Sequence, residues 1–209
     1  MTFRAYSKRT EYDTDKNNKK DNFNFLNNKY CIPAQTVIAG DSITEIFNMD
    51  LFNSYIKESG KLVYNRGISG DTSNKLLERF DSNVLALKPS NLVLLIGTND
   101  LTLISDVDYV FSNISKVVDK ALNSDPDMNI ILQSVYPVTY KNRRKNRLIS
   151  ALNEKLRAMC SEKYITYLDI YALLLDNKGG FNSEYTYDGL HPNVRGFEVV
   201  ANQIIPLLK

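Results

Sequence analysis

The stretch TVIAGDSIT, at residues 36–44, joins a short apolar run to an abrupt Gly-Asp-Ser turn. An amphipathic stretch from Ile43 to Phe52 follows, so the pattern predicts a buried strand that turns sharply into a helix, with Ser42 at the turn. A helix N-terminus has unpaired N–H groups and the positive end of a dipole, which would stabilise negative charge beside the Ser42 hydroxyl. Ser42 is therefore either a nucleophile or only an N-cap.

The rest of the chain alternates short apolar runs with longer amphipathic stretches, as a parallel α/β sheet requires. Apolar runs predict strands at 36–39, 61–65, 91–96, 129–134 and 164–168. Helical spacing predicts helices at about 72–87, 106–123, 143–161 and 192–208. Because ligands bind outside the carboxyl ends of the strands in such sheets, the residues that follow each strand are the candidate site.

Composition indicates one soluble domain and excludes several function classes. The 209 residues are 43% hydrophobic with a net charge of +2, so the overall balance requires neither nucleic acid nor an anionic membrane as partner. Cys31 and Cys160 match no metal spacing, and we expect reduced thiols, no metal and no cofactor. No apolar segment suits a signal peptide or a membrane span, so we expect a cytoplasmic protein without stable membrane insertion.

Two polar segments stand apart from this pattern. Residues 1–29 are rich in Lys, Asn and Asp, which predicts a surface arm that ends in a short helix at 22–29, ahead of a catalytic domain at 30–209. Acidic residues interleaved with the basic ones argue against nucleic-acid binding by this arm. The basic run KNRRKNR at 141–147 is either a solvated helix face or an anion-binding patch near the sheet edge.

His191 is the only histidine of the chain, so a serine mechanism has one available base. Asp188 precedes His191 by three residues in DGLHP and could orient the imidazole locally. Asp169, at the end of the last predicted strand, is the rival acid. The alternative for His191 is a helix-start residue without a chemical role.

Acyl transfer also needs hydrogen-bond donors aimed at the developing oxyanion. The Ser42 N–H, the Gly70 N–H in NRGISGDT and the Asn99 amide in GTND all follow strands at one edge of the predicted sheet. Each glycine-rich motif could instead be only a turn. The neighbouring side chains that we expect to contact a substrate are Asp41, Ile43, Asp71, Leu101, Tyr136 and Leu190.

Four blocks now stand in order, GDS, NxGxxGDT, GTND and DGLHP, and together they resemble the SGNH, or GDSL, hydrolase family from about residue 36 onward. The resemblance implies a flavodoxin-like three-layer α/β/α sandwich around a five-stranded parallel sheet. It also implies Ser42 as nucleophile, Gly70 and Asn99 in the oxyanion hole, and Asp188 and His191 in the triad. GDSIT, GISGDT and GTND look most like the platelet-activating-factor acetylhydrolase and carbohydrate acetylesterase branch. Ile43 replaces the family's leucine, and the arm at 1–29 has no family motif.

These features predict a metal-free serine esterase that removes a short acyl group, above all acetyl, through a covalent acyl-enzyme. The expected partner is a small-molecule ester, an acetylated carbohydrate or lipid, and a homodimer is left open. One alternative is a lysophospholipase or acyl thioesterase that acts on longer chains. A second alternative is a binding protein that keeps the fold without the chemistry.

Overall fold

Five strands in the described part of the chain form one parallel sheet in the order β2-β1-β3-β4-β5. The computed structural model describes the backbone of residues 3–139 and 143–209 and the side chains of residues 16–139 and 146–209. The strands are β1 (Thr36–Gly40), β2 (Val63–Gly67), β3 (Asn91–Leu95), β4 (Asn129–Gln133) and β5 (Thr166–Leu168). All five predicted strands are confirmed, although β2 and β5 each begin later than predicted.

Helices connect successive strands and cover both faces of the sheet. They are α1 (Phe3–Lys29), α2 (Ser42–Glu45), α3 (Asn53–Ser59), α4 (Ser73–Asn83), α5 (Thr98–Leu103), α6 (Val107–Ser124), α7 (Arg143–Glu162), α8 (Ile170–Leu174) and α9 (Val194–Ile204). The helices predicted at 106–123 and 143–161 match α6 and α7. The predicted helices at 72–87 and 192–208 each end early and continue as a short 3₁₀ turn, at Leu85–Leu87 and Ile205–Leu207.

Two hydrophobic cores, one on each face of the sheet, make this a three-layer sandwich. Alternate residues of β3 divide between them: Leu92 and Leu94 pack in one core, and Val93 and Leu95 in the other. The first core includes buried residues of α4, α6 and α7, and the second includes residues of α8 and α9. This architecture confirms the fold predicted from the sequence.

The N-terminal segment differs from the predicted arm, because α1 runs continuously from Phe3 to Lys29. Its described side chains attach it through polar contacts instead of an apolar stripe. Asn27 donates to the Asn83 carbonyl oxygen over 3.0 Å and accepts from Arg66 over 2.7 Å. Lys19 forms an ion pair with Glu45, the last residue of α2. The segment is therefore a helix attached beside the candidate site.

Two further observations concern the predicted absence of a membrane span and the basic run at 141–147. None of the described helices combines the length and apolar character needed to cross a membrane. Most side chains of the basic run at 141–147 lie outside the described residues. Of its described side chains, Asn146 is buried and bonds both the N–H and the carbonyl oxygen of Val138 over 2.8 Å.

Candidate active site

Ser42 is the first residue of α2, two residues after the end of β1, which lies between β2 and β3 in the sheet. The chain crosses from β2 on one side of β1 to β3 on the other, and ligand sites form at such a reversal of strand order. Gly40 permits the close approach of β3, because a Cβ there would lie 2.1 Å from the Leu95 carbonyl oxygen. Asp41 caps α2 by accepting from the Ile43 N–H over 3.0 Å. The serine hydroxyl is thus held outside the sheet at a helix start.

His191 and Asp188 meet Ser42 from the loop that precedes α9. The Ser42 Oγ lies 2.9 Å from His191 Nε2, and His191 Nδ1 lies 2.6 Å from Asp188 Oδ2. Asp188 Oδ1 also accepts from the N–H groups of Leu190 and His191 over 2.9 and 2.8 Å. Partial burial would raise the pKa of Asp188, but the hydrogen bonds from His191 and Leu190 outweigh it and lower the pKa to about 2. The structure therefore brings the three predicted residues into one hydrogen-bonded chain.

Asp169, the rival acid, lies elsewhere. It caps α8 by accepting from the Ala172 N–H over 3.3 Å, and it forms an ion pair with Arg157 of α7. Both contacts hold it on the outer side of β5, where it makes no hydrogen bond to His191. The short Asp188-to-His191 spacing thus brings carboxylate and imidazole together locally.

Gly70 lies in the turn after β2, and Asn99 lies in the first turn of α5, after β3. Gly70 has a φ of +72°, which glycine adopts without strain, in the turn between β2 and α4. The Asn99 Nδ2 donates to the Asp71 carbonyl oxygen over 2.8 Å, so the amide is fixed against the loop that carries Gly70. An amide nitrogen has two hydrogens, and this bond uses one of them.

A buried ion pair lies beneath these loops. Arg79 Nε donates to Asp71 Oδ2 over 2.7 Å, and its Nη2 donates to the carbonyl oxygens of Gly40 and Arg66 over 3.1 and 2.9 Å. Burial raises the pKa of Asp71, and Arg79 opposes that rise. Arg79 thus connects the ends of β1 and β2 to the start of α4.

Two other carboxylates fix the same loops. Asp100 is buried and accepts from the Ser73 N–H over 3.0 and 2.9 Å, which joins the loop after β3 to the N-terminus of α4. Glu45 accepts from the Ser69 N–H over 2.5 Å, next to Gly70. Because Glu45 also pairs with Lys19, the N-terminal helix is linked to the turn that holds Gly70.

Asp41 has a different environment from the other carboxylates of the site. Burial raises its pKa to about 7, against the lowering effect of the Ile43 N–H. Its second oxygen, Oδ2, is buried and has no hydrogen-bond partner among the residues that the structure describes. Burial therefore favours the neutral acid form of Asp41, directly before the serine, at acidic pH.

The side chains predicted to contact substrate are mostly packed inside the protein. Five of the six are buried, and Leu190 is partly exposed: the buried ones are Asp41, Ile43, Asp71, Leu101 and Tyr136. Ile43 and Tyr136 belong to the core on one face of the sheet, and Leu101 to the core on the other. In this structure they form the rigid base of the site.

Three residues that shape the site are absent from the sequence-based set. Thr186 donates to the His191 carbonyl oxygen over 2.7 Å and accepts from the Gly189 N–H over 2.9 Å, so it closes the turn around Asp188. Arg79 could have been found, because it continues the buried face of α4 formed by Leu76, Phe80 and Asn83. No comparable sequence pattern marks Glu45 as a residue of the site. No set of three or more His, Cys, Asp or Glu side chains in the described ranges is placed to hold a metal ion.

Comparison with known proteins identifies the family and the fold. Residues 38–199 match the model of the GDSL-like lipase/acylhydrolase family. A GDSL-like lipase structure from Bacteroides thetaiotaomicron is 27% identical with a TM-score of 0.79, covering 90% of this chain and 96% of that one. An acetylxylan esterase structure from Geobacillus stearothermophilus is 21% identical with a TM-score of 0.69, covering 86% and 96% of the two chains.

A curated relative is longer than this chain. An N-acylneuraminate cytidylyltransferase from Escherichia coli is 31% identical over 150 residues, which is 70% of this chain and 35% of the relative. The chain therefore spans about a third of the length of the curated relatives that it matches. The family match covers most of the sheet and every residue of the serine-centred site, and the chain belongs to the GDSL-like lipase/acylhydrolase family.

Proposed function

We propose that this enzyme hydrolyses short-chain esters, above all acetyl esters, through a covalent acyl-enzyme on Ser42. The observation that carries the proposal is the chain of contacts from Ser42 Oγ through His191 to Asp188, over 2.9 and 2.6 Å. His191 accepts the Ser42 proton as Oγ attacks the ester carbonyl, and the Asp188 carboxylate stabilises the imidazolium. The C–O bond to the alcohol then breaks, and His191 gives the proton to the leaving oxygen. Water completes the cycle by the same route, which releases the acid and restores Ser42.

The oxyanion that forms in each half-reaction needs hydrogen-bond donors to stabilise its negative charge. We assign this role to the N–H groups of Ser42 and Gly70 and to the second hydrogen of the Asn99 amide. The first Asn99 hydrogen is held by the Asp71 carbonyl, so the amide is oriented before substrate arrives. Such orientation lowers the reorganisation needed in the transition state.

A fluorophosphonate probe tests the chemistry directly. It should add one phosphonyl group at Ser42, located by intact mass and peptide mapping, and Ser42→Ala should remain unlabelled. An unlabelled, folded wild-type protein would support the alternative of a binding protein on this fold.

The acyl group should be short, because the apolar side chains nearest the serine are buried in the core and present little surface to a long chain. A fully lined tunnel would gain about fourfold in kcat/KM per methylene, at about 0.8 kcal/mol for each buried CH₂. We expect kcat/KM to be highest for acetate or butyrate among p-nitrophenyl esters from acetate to decanoate, below micellar concentrations. A steady rise to decanoate would favour the lysophospholipase or thioesterase alternative.

We propose a carbohydrate as the alcohol half of the ester. Two matched proteins have names that refer to sugars, the N-acylneuraminate cytidylyltransferase and the acetylxylan esterase. Initial rates of acetate release from acetylated sugars, lysophospholipids and acyl thioesters would test the choice, and the sugars should be the best substrates.

A further inference from the structure

A cavity of about 430 Å³ lies beside the loop that carries Asp188 and His191. Its walls include Thr139, Asp176, Phe181, Ser183, Tyr187 and Asp188. Asp188 is the only one of these that also belongs to the hydrogen-bonded chain with Ser42. The cavity therefore adjoins the candidate site without being the acyl position itself.

The lining of this cavity has the chemistry that sugars require. Tyr187 is 92% exposed, although it directly precedes Asp188. Asp176 Oδ1 accepts from the N–H groups of Lys178 and Gly180, both over 2.8 Å, which fixes the carboxylate in a turn. A fixed carboxylate and two nearby hydroxyls can bind sugar hydroxyls, while an aromatic ring offers a flat surface for the C–H face of a pyranose. A lipid chain would find mixed polar walls instead of a continuous apolar surface.

The proposed mechanism requires the leaving alcohol to lie near His191. The carbonyl oxygen of a bound ester must face the donors at Gly70 and Asn99, whereas the leaving oxygen must lie near His191 Nε2 to receive its proton. His191 and Tyr187 belong to the same loop, which Thr186 closes through its hydrogen bond to the His191 carbonyl oxygen. An alcohol that leaves beside His191 can extend along this loop towards Tyr187, which lines the cavity.

We propose that this cavity is the subsite for a polyhydroxylated alcohol, a sugar, with Tyr187 as its stacking surface and Asp176 as a hydrogen-bond acceptor. The inference rests on the proposed esterase function and adds where the non-acyl half of the substrate binds. Tyr187 selects the substrate and takes no part in the bond-making steps.

The test compares two acetyl esters, a monosaccharide that carries one O-acetyl group and keeps its other hydroxyls free, and ethyl acetate, whose alcohol has neither a ring nor further hydroxyls. Tyr187→Ala should lower kcat/KM for the sugar ester about tenfold, mainly through KM, and change that for ethyl acetate less than twofold. Tyr187→Phe keeps the ring and should retain at least half of the sugar activity. Tyr164→Ala is the matched control, because Tyr164 is 96% exposed on the turn before β5 and should affect neither ester.

The outcomes separate the two proposals. If wild-type protein hydrolyses neither ester and takes no fluorophosphonate label, the proposed function fails. If both esters are hydrolysed but folded Tyr187→Ala changes them equally or not at all, the sugar subsite is wrong and the esterase function stands. Asp176→Asn adds an independent check, since it should raise KM for the sugar ester alone while the melting temperature shows that the turn remains folded.

Discussion

The two sides of the active site are built in opposite ways. On the serine side, the carboxylates of Asp41, Asp71 and Asp100 are 1, 3 and 0% exposed and lie under the loops that follow β1, β2 and β3. On the base side, the Asp188 and His191 side chains are 54 and 29% exposed. Core packing and a buried ion pair position Ser42 and the proposed oxyanion donors, whereas hydrogen bonds within one short loop position His191, the proposed base.

This difference predicts which property a substitution will change. A buried charge that loses its partner destabilises the fold, while an exposed polar group can be removed with little loss of stability. Substitutions on the base side should therefore reduce catalysis and leave folding intact. Substitutions beneath the serine side should reduce stability first.

The largest effect is expected for Ser42 and His191, which contact each other where the serine side and the base side meet. Ser42→Ala and His191→Ala should each lower kcat by about 10⁴-fold or more, and the double variant should be hardly worse, because the two residues act as a unit. Steady-state kinetics on p-nitrophenyl acetate measure this, with melting temperatures as the control for folding. Losses that add up in the double variant would contradict a shared mechanism.

The next effect distinguishes the two candidate acids. Asp188→Ala should lower kcat by about 10²–10⁴-fold, because the imidazole loses the group that orients it and stabilises its charge. Asp169→Ala removes an ion pair with Arg157 and the cap of α8, neither of which involves His191, and should leave kcat within about twofold. The opposite ranking, in folded proteins, would move the acid to Asp169.

The buried ion pair gives the corresponding effect on stability. Arg79→Met removes the hydrogen-bonded cation from the Asp71 carboxylate, whose other ion pair, with Lys16, is longer at 3.9 Å. It should lower the free energy of unfolding by about 3–5 kcal/mol, measured by urea denaturation. Arg195→Met is the matched control, since Arg195 pairs with Glu184 on the surface, and its effect should stay below about 1 kcal/mol. Equal effects of the two substitutions would remove the contrast between the two sides.

Asn99→Ala should have a smaller effect, confined to catalysis. Loss of one oxyanion donor should lower kcat by about 10²–10³-fold with little change in KM, because the contact forms fully only in the transition state. Pre-steady-state acylation rates would show the same loss. A change mainly in KM would make Asn99 a ground-state binding residue.

The smallest effect is a pH dependence of stability. The pKa of Asp41 is about 7 in the folded protein and near the ordinary value of 3.8 when unfolded, so between about pH 4 and 7 only the folded state keeps the proton. The free energy of unfolding should therefore fall as pH rises through this range, and it should fall less in Asp41→Asn. The stabilising contribution of Asp188 is lost only as pH drops from 3.8 towards 2, outside this window. Parallel urea titrations at pH 5 and 7.5 test this, and equal losses in both proteins would contradict it.

Structure can be predicted from the sequence where a local pattern of residues is compatible with a single local structure. Buried parallel strands are short apolar runs, and their carboxyl ends lie at one edge, so Ser42, Asn99 and His191 could be grouped before the structure was known. The spacing of Asp188 and His191 likewise fixed a local contact.

The remainder depends on tertiary contacts that no single stretch encodes. The N-terminal helix has no apolar periodicity, and its described half is attached by bonds such as Asn27 to Asn83 and Lys19 to Glu45. Ile43 and Tyr136 were expected at the surface of the site because they follow strands. Both point into a core, and sequence alone does not say which face such a residue takes.

His191 is the single histidine of this sequence, so its NMR signals report directly on the proposed base. Every imidazole signal in the NMR spectrum of the untagged protein comes from His191, so no assignment is needed. Because His191 Nδ1 lies 2.6 Å from Asp188 Oδ2, its attached proton should resonate far downfield in a region free of other signals. Titration of the base, formation of the acyl-enzyme on its neighbour Ser42 and release of the product can thus be followed from one ring, in real time and without a label.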